Sequence, residues 1–394
     1  LNGEASITLN REDEYIEEGA IAIDDEDGAV DVVIVSTVNV DAVGEYSVTY
    51  TATDSSGNSH TISRTVSVLS RPFITNWYVG YTAGVGDNSI KIDTEGDGYN
   101  YQIDWGDGQK DENVKGDIIH TYDAIGYYTL TIRGNFPQIY FEESSQNTKS
   151  ALLSIEQWGD LEWRSMKNAF KGRRNLIINA VDAPNLSMVT DMSSMFYAVN
   201  LFNQDLNHWD VKNITTMSSL FEDGDFNGDI SAWDVSNVVD MSKLLKGSNF
   251  NGDISNWNVS SVTDMSHMFY GATYFDQELN AWDVSNVINM KEMFYYATRF
   301  NSNVNSWNVS SVIDMSYMFY NAWAFNQYLN SWDVSSVTNM SSMFYGADDF
   351  NQDLDNWDVS AVTDMSNMFS YAYNFNGKLS SWNVTSVINM SSMF

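Results

Sequence analysis

Phe275-Asp276-Gln277-Glu278-Leu279-Asn280-Ala281-Trp282-Asp283-Val284-Ser285-Asn286-Val287-Ile288-Asn289-Met290-Lys291-Glu292-Met293-Phe294 is one unit of a repeat that decides how the C-terminal half folds. Its tryptophan recurs at Trp209, Trp233, Trp257, Trp282, Trp307, Trp332, Trp357 and Trp382, spaced by 24, 24 and then 25 residues throughout. A fixed period in the twenties marks a chain of stacked copies, none able to bury its own apolar side chains alone. Met290, Met293 and Phe294 stand at i, i+3 and i+4, which predicts one face of a helical turn. Asn289, like Asp264 and Asp314 in neighbouring units, stands where a helix N-cap belongs. A short strand is predicted around Trp282 to Val284, stacked on its counterparts as a parallel sheet. The spacing makes the Met and Trp columns core filling rather than ligand platforms.

Leu279-x-x-Trp282-x-Val284 has the L-x-x-L-x-L spacing of leucine-rich repeats, with Trp in the middle slot. Together with Met290-x-x-Met293-Phe294 and segments such as Phe350-Asn351-Gln352-Asp353-Leu354, the unit resembles the BspA-like leucine-rich repeats of bacterial surface proteins and mycoplasma lipoproteins. The resemblance covers roughly residues 150–394. It implies a surface-exposed protein with an adhesion or partner-binding role, and it implies no catalytic residue. Residues 186–394 are therefore expected to form an α/β leucine-rich-repeat solenoid of about 25-residue repeats. Residues 143–185 depart from the pattern and read as an N-terminal cap and degenerate first repeat. They look helical, with Leu152, Ile155, Leu161, Met166 and Phe170 as apolar positions. Arg164, Lys167, Lys171, Arg173 and Arg174 there form either a docking patch for an acidic neighbour or a solvated face. The chain starts at Leu1 and stops at Phe394 within the last Met-Phe motif, so a piece of a longer protein is expected.

Two smaller modules precede the repeats. In residues 1–69, Ser6 to Leu9, Val30 to Val35, Gly44 to Thr51 and Thr61 to Val68 read as strands. Tyr46, Val48 and Tyr50 alternate with Ser47, Thr49 and Thr51, the pattern of a half-buried strand. Asp54-Ser55-Ser56-Gly57 suits a turn between the last two strands. The stretch 43–68 resembles the immunoglobulin-like modules of bacterial surface proteins. In residues 70–142, Asp104-Trp105-Gly106-Asp107-Gly108, His120-Thr121-Tyr122 and Gly126-Tyr127-Tyr128-Thr129-Leu130 resemble the PKD family of extracellular β-sandwiches. Phe136 to Phe141, running into the repeats, looks like the usual lead-in of the BspA-like family. Gly106 and Gly108 permit a tight turn, and Tyr128, Leu130 and Ile132 point one way along the next strand. His120 reads as a structural histidine rather than a metal ligand. The expected architecture is thus multidomain: two β-sandwich modules, Ig-like and PKD-like, followed by the repeats.

Charge and composition narrow the function. The 394 residues hold 53 acids against 19 bases, a formal net charge of −34. Such a field repels phosphate backbones and anionic lipid, which argues against nucleic acid and membrane surfaces as partners. There is no cysteine, so disulfides, thiolate metal sites and cysteine nucleophiles are all excluded. No run of about 18 apolar residues appears, so no membrane insertion is expected. There is no G-x-S-x-G or H-E-x-x-H motif, and only four histidines are present, so catalysis is not expected. The reading is a bacterial cell-surface, extracellular adhesion or ligand-binding protein whose partner is an extracellular protein or glycan. The alternatives are a passive spacer in a large surface protein and an accessory region of a secreted enzyme.

Candidate sites follow from the columns that stacking creates. Just before each Phe-Asn or Phe-Asp, the units carry Thr273-Tyr274, Thr298-Arg299, Trp323-Ala324, Asp348-Asp349 and Tyr373-Asn374. Varied side chains on a constant frame are how binding surfaces are built on repeats. Tyr274, Arg299, Trp323 and Tyr373 are therefore candidate ligand contacts. Tyr270, Tyr295, Tyr320 and Tyr345 form an adjacent column that reads either as aromatic contacts for a partner or as half-buried packing between units. The column Asp210, Asp234, Asn258, Asp283, Asn308, Asp333, Asp358 and Asn383 offers either a cation ladder or a hydrogen-bonded Asx ladder. In the first module, Asp24, Asp25 and Asp27 read either as calcium ligands or as a solvated acidic loop.

Overall fold

The computed structural model describes residues 1–80, 88–140 and 152–394. The chain divides into two compact units, Leu1–Phe73 and Ile74–Phe394.

The first unit is built on β1 (Ser6–Asn10), β4 (Val32–Ser36), β5 (Gly44–Thr53) and β6 (Ser59–Leu69), joined in the order β1-β6-β5-β4. β2 (Ala22–Asp24) and β3 (Gly28–Val30) make a separate hairpin, so the strand expected over Val30 to Val35 is split between β3 and β4. β1 runs parallel to β6, and the other pairs of the sheet are antiparallel. The alternation predicted for β5 holds. Val48 and Tyr50 are buried beside Val66 and Val68 of β6, and Tyr46 packs against them. The turn at Asp54 to Gly57 closes with the Gly57 amide donating to the Asp54 carbonyl at 3.1 Å. Arg64, which the sequence did not single out, is buried among these apolar groups. Its Nε donates to the Glu4 carbonyl at 2.9 Å, its Nη1 to Glu17 at 3.0 Å, and its guanidinium lies over Tyr50.

The second unit opens with a six-stranded sheet in the order β10-β9-β12-β7-β13-β14. Its members are β7 (Phe73–Val79), β9 (Asn100–Asp104), β10 (Lys110–Val114), β12 (Gly126–Asn135), β13 (Leu152–Gln157) and β14 (Ile177–Ile178). β8 (Ser89–Ile92) and β11 (Ile118–Thr121) form a second, two-stranded sheet. The turn after Trp105 needs glycine: Gly106 has φ +78°, and a Cβ there would lie 2.5 Å from the Thr129 carbonyl oxygen. His120 stacks on Trp105 with centroids 4.7 Å apart and shares a 2.7 Å hydrogen bond with Asp107 through Nε2. Leu130 and Ile132 are buried along β12, with Tyr128 half-buried on the same side.

The expected helical cap does not form. Leu152, Ile155, Leu161, Met166 and Phe170 are all buried, as the apolar pattern required. Leu152 to Gln157 are nevertheless the strand β13, which pairs antiparallel with β7 and parallel with β14, and the residues that follow are turns. Residues 143–151 of the expected cap, and Phe141, lie outside the described residues.

The α/β leucine-rich-repeat solenoid is likewise overturned. Among the described residues every regular element is a strand, there is no helix, and after Ile178 no strand follows. Trp282 to Val284 are not a strand but part of two tight turns, in which Trp282 donates to the Leu279 carbonyl and Val287 to the Val284 carbonyl. Successive units meet instead through single parallel bridges, such as Asp264 to Asn289 and Asn289 to Asp314. At the predicted helical face, Met293, Tyr295 and Ala297 donate to the carbonyls three residues back. The amides of Met290, Glu292, Phe294 and Tyr296 leave the segment altogether, donating to Asp314, Ser316, Met318 and Tyr320 of the next unit at 3.0, 2.9, 2.9 and 2.7 Å. A helix would keep these donors for its own carbonyls. The backbone is turned out by a left-handed residue at every fourth position, Glu292 at φ 57° and Tyr296 at 55°. Overlapping four-residue turns bury positions i, i+3 and i+4 just as a helical turn does, which is why the apolar pattern pointed to a helix.

Candidate functional site

The constant frame is buried. Met290, Met293, Phe294 and their counterparts as far as Phe369 lie inside, and the tryptophans stack face to face at 6.3–6.5 Å from Trp282 to Trp382. From Trp233 to Trp382 each indole N–H donates to a carbonyl of the preceding unit, as Trp282 does to Ile254 at 3.0 Å, Trp307 to Leu279 at 2.9 Å and Trp332 to Val304 at 3.1 Å. These donors are satisfied, as buried indoles require.

The polar columns are spoken for by short-range bonds. In the Asp210-to-Asn383 column, each side chain accepts the amide two residues on, as Asp283 does from Ser285 at 3.1 Å and Asp358 from Ser360 at 3.0 Å. The hydroxyls of Ser236, Ser285 and Ser360 hold Asp234, Asp283 and Asp358 below the usual carboxylate range. The residues predicted to be N-caps use the same chemistry without a helix: Asp264 and Asp314 accept the amides of Ser266 and Ser316 at 2.8 Å. A further ladder was not foreseen. Asn251, Asp276, Asn301, Asn326, Asn351 and Asn376 each donate a backbone amide to the side-chain oxygen of the preceding member, at 2.7–3.0 Å. The recurring Phe-Asn pair was its signal in the sequence.

The aromatic surface lies beside these columns. Tyr270, Tyr295, Tyr320 and Tyr345 stack with centroids 4.4, 4.6 and 4.4 Å apart and planes within 10°. They are half-buried, with their faces used by one another, and Lys246 covers Tyr270 at 5.4 Å. Burial pushes the Tyr320 hydroxyl up to about 12, and the neighbouring Tyr345 adds to this. The variable positions are open: Tyr274 is 46% exposed, Trp323 50% and Tyr373 77%. Arg299 is exposed too, its guanidinium 4.8 Å over the Tyr274 ring. The Asp349 amide donates to the Trp323 carbonyl at 3.0 Å and the Asn374 amide to the Asp348 carbonyl at 3.3 Å, so the variable pairs lie in neighbouring rows.

The same surface holds tyrosines that sequence reasoning missed. Tyr296 is exposed and lies 5.0 Å from Tyr295; Tyr317 lies 5.8 Å from Tyr320. Tyr371, 56% exposed, joins Tyr345 at 5.1 Å and Tyr373 at 6.3 Å. Tyr296 and Tyr371 share one column with Asn321 and Gly346, so the aromatic signal there was diluted by smaller residues.

Other candidates are placed differently. Asp24 accepts the amides of Glu26 and Asp27, and Asp27 accepts from the Ser55 amide and hydroxyl at 2.8 and 2.9 Å, while Asp25 is exposed. Among the described residues no three acidic or histidine side chains converge as a metal site would need. In the basic patch Arg173 is 0% exposed and takes no part in any docking face. Burial lowers its guanidinium to about 9, against the pull of Asp93. Among the described residues no helix is long and apolar enough to cross a membrane.

Comparison with known proteins matches two parts of the chain. Residues 1–68 match the bacterial surface protein Ig-like domain. Residues 163–254, 223–329 and 302–394 match, in three overlapping copies, the family described as Mycoplasma protein of unknown function, DUF285. No curated protein and no solved structure is matched by this chain. The matches point to a non-enzymatic role at the bacterial cell surface. With more than half of its length covered by that one repeat family, the chain belongs to the Mycoplasma DUF285 family and carries a bacterial surface Ig-like domain at its front.

Proposed function

We propose that the exposed aromatic face of the repeats binds an extracellular protein or glycan, making the chain an adhesion or ligand-binding element of a bacterial surface. The observation that carries this reading is the exposure of Tyr274, Arg299, Trp323 and Tyr373 on a frame whose recurring Trp, Met and Phe positions are buried in the interior units. Large rigid aromatics bring contact area at little cost in conformational entropy, which is why they anchor interfaces. The likeness of the unit to the repeats of BspA-like surface proteins supports the same role. In this reading the Ig-like residues 1–69 and the PKD-like residues 70–142 present the repeats, with residues 143–185 joining them to residues 186–394.

The test is binding of the whole chain to an array of glycans and extracellular proteins. A saturable ligand should weaken about tenfold or more when Trp323 and Tyr373 are both changed to Ala, since two anchors of this kind typically exceed 1.4 kcal/mol together. An array on which nothing binds would favour the spacer role instead.

A further inference from the structure

Three bases in the repeats sit on the ring of a tyrosine. Lys171 lies 5.4 Å over Tyr197, Lys246 5.4 Å over Tyr270, and Arg299 4.8 Å over Tyr274. These contacts use the negative face of the ring, which attracts cations. Toward the end of the tyrosine ladder the pattern changes. The column position after Tyr345 is Ser370, so the ladder ends, and Tyr371 leans on Tyr345 at 59° instead. Tyr373 then stands at 79° to Tyr371 with centroids 6.3 Å apart, so the three rings form the walls of a corner. Tyr371 and Tyr373 are exposed, as are Tyr296 and Trp323 at the same positions of interior units. The row beside them carries acids: the Asp348 carbonyl accepts the amide that follows Tyr373, and Asp349 is exposed. Residues 345–373 contain no lysine or arginine, whereas the chain as a whole has a net charge of −34.

We propose that the corner of Tyr345, Tyr371 and Tyr373, beside Asp348 and Asp349, receives an arginine or lysine side chain from a basic segment of an extracellular protein. The proposal rests on the binding role above and names its ligand class. Crossed aromatic rings surround the cation, the two carboxylates supply opposite charge, and the acidic field of the chain raises the local concentration of a basic partner. A neutral glycan uses the ring faces but gains nothing from the acids.

The experiment is fluorescence anisotropy of the whole chain with a labelled arginine-rich peptide in 0.15 M salt, with a Ser/Gly peptide of equal length as control. The Tyr371→Ala, Tyr373→Ala pair should weaken the arginine peptide about fivefold, and the Asp348→Asn, Asp349→Asn pair by a similar factor. Tyr371→Phe with Tyr373→Phe keeps the rings and should stay within about twofold of the parent. Asp25→Asn with Glu26→Gln removes the same charge far along the chain and should leave binding unchanged. Equal loss from both charge-removing pairs, or none from the Ala pair, overturns the proposal. An array ligand that depends on Trp323 but is indifferent to these four variants also overturns it while leaving the broader binding role standing. Loss of binding by the Ala pair counts only if its melting temperature matches the parent.

Discussion

Left-handed backbone recurs twice in each repeat, and most of the residues that adopt it carry side chains. One series runs through Lys243, His267, Glu292, Tyr317, Ser342 and Asn367, and a second through Gly247, Gly271, Tyr296, Asn321, Gly346 and Tyr371. An L-residue there costs roughly 1–2 kcal/mol relative to ordinary backbone. The cost is offset because the amides from Lys243 to Asn367 and from Gly247 to Gly346 in these series donate to the next repeat, as those of Lys243 and Gly271 do at 2.9 and 2.6 Å. Gly271 isolates the conformational effect, since an added Cβ would meet only Gly247 backbone atoms, at 3.8–3.9 Å. Gly271→Ala should therefore lower stability by about 1 kcal/mol, and Lys243→Gly should raise it by about 0.5 kcal/mol, read by urea denaturation. An unchanged Gly271→Ala midpoint would remove strain from the account.

The repeat unit behaves as one turn-built element whose hydrogen bonds lie mainly between copies. Far-UV circular dichroism should consequently lack the paired minima of a helix, although the Met-x-x-Met-Phe spacing invites one. A helical spectrum would contradict the turn assignment. The tryptophan is the element's hinge between apolar packing and polar satisfaction: Trp307 fills the core and ties its N–H to the Leu279 carbonyl. Trp307→Phe keeps most of the apolar area but loses that bond. A loss of about 1–2 kcal/mol is expected, because the Leu279 carbonyl retains the Trp282 amide as a second donor.

At the scale of the whole molecule, a net charge of −34 opposes compactness. Salt should raise the melting temperature as screening relieves the repulsion. Acid acts in two directions. It lowers the negative charge, but it also protonates Asp234, Asp283 and Asp358, which serine hydroxyls hold below the usual carboxylate range. A carboxylate depressed in the folded state contributes stability above its unfolded value, near pH 3.9, and loses it as the pH falls through the lower folded value. With repulsion screened in about 0.5 M salt, the second effect should prevail. The melting temperature at pH 3 should then lie below that at pH 7, and a rise on acidification would show these bonds to be unimportant.

Composition and period alone determined which side chains are inside. The Trp, Met and Phe columns, the alternation of β5 and the apolar set from Leu152 to Phe170 were all legible, because burial follows from which positions recur. The surface columns at Tyr274, Arg299, Trp323 and Tyr373 were legible as variable positions for the same reason. Backbone conformation was not, since overlapping turns and a helix share the i, i+3, i+4 spacing. What separates them is whether alternate amides bond within the unit or to the next one, and that is decided by the neighbouring copy. The corner at Tyr371 was equally hidden, because its rings come from separate columns that only stacking brings together. Local periodicity thus specified the core, while hydrogen bonding between repeats, a long-range property, chose the backbone and assembled the exposed surface.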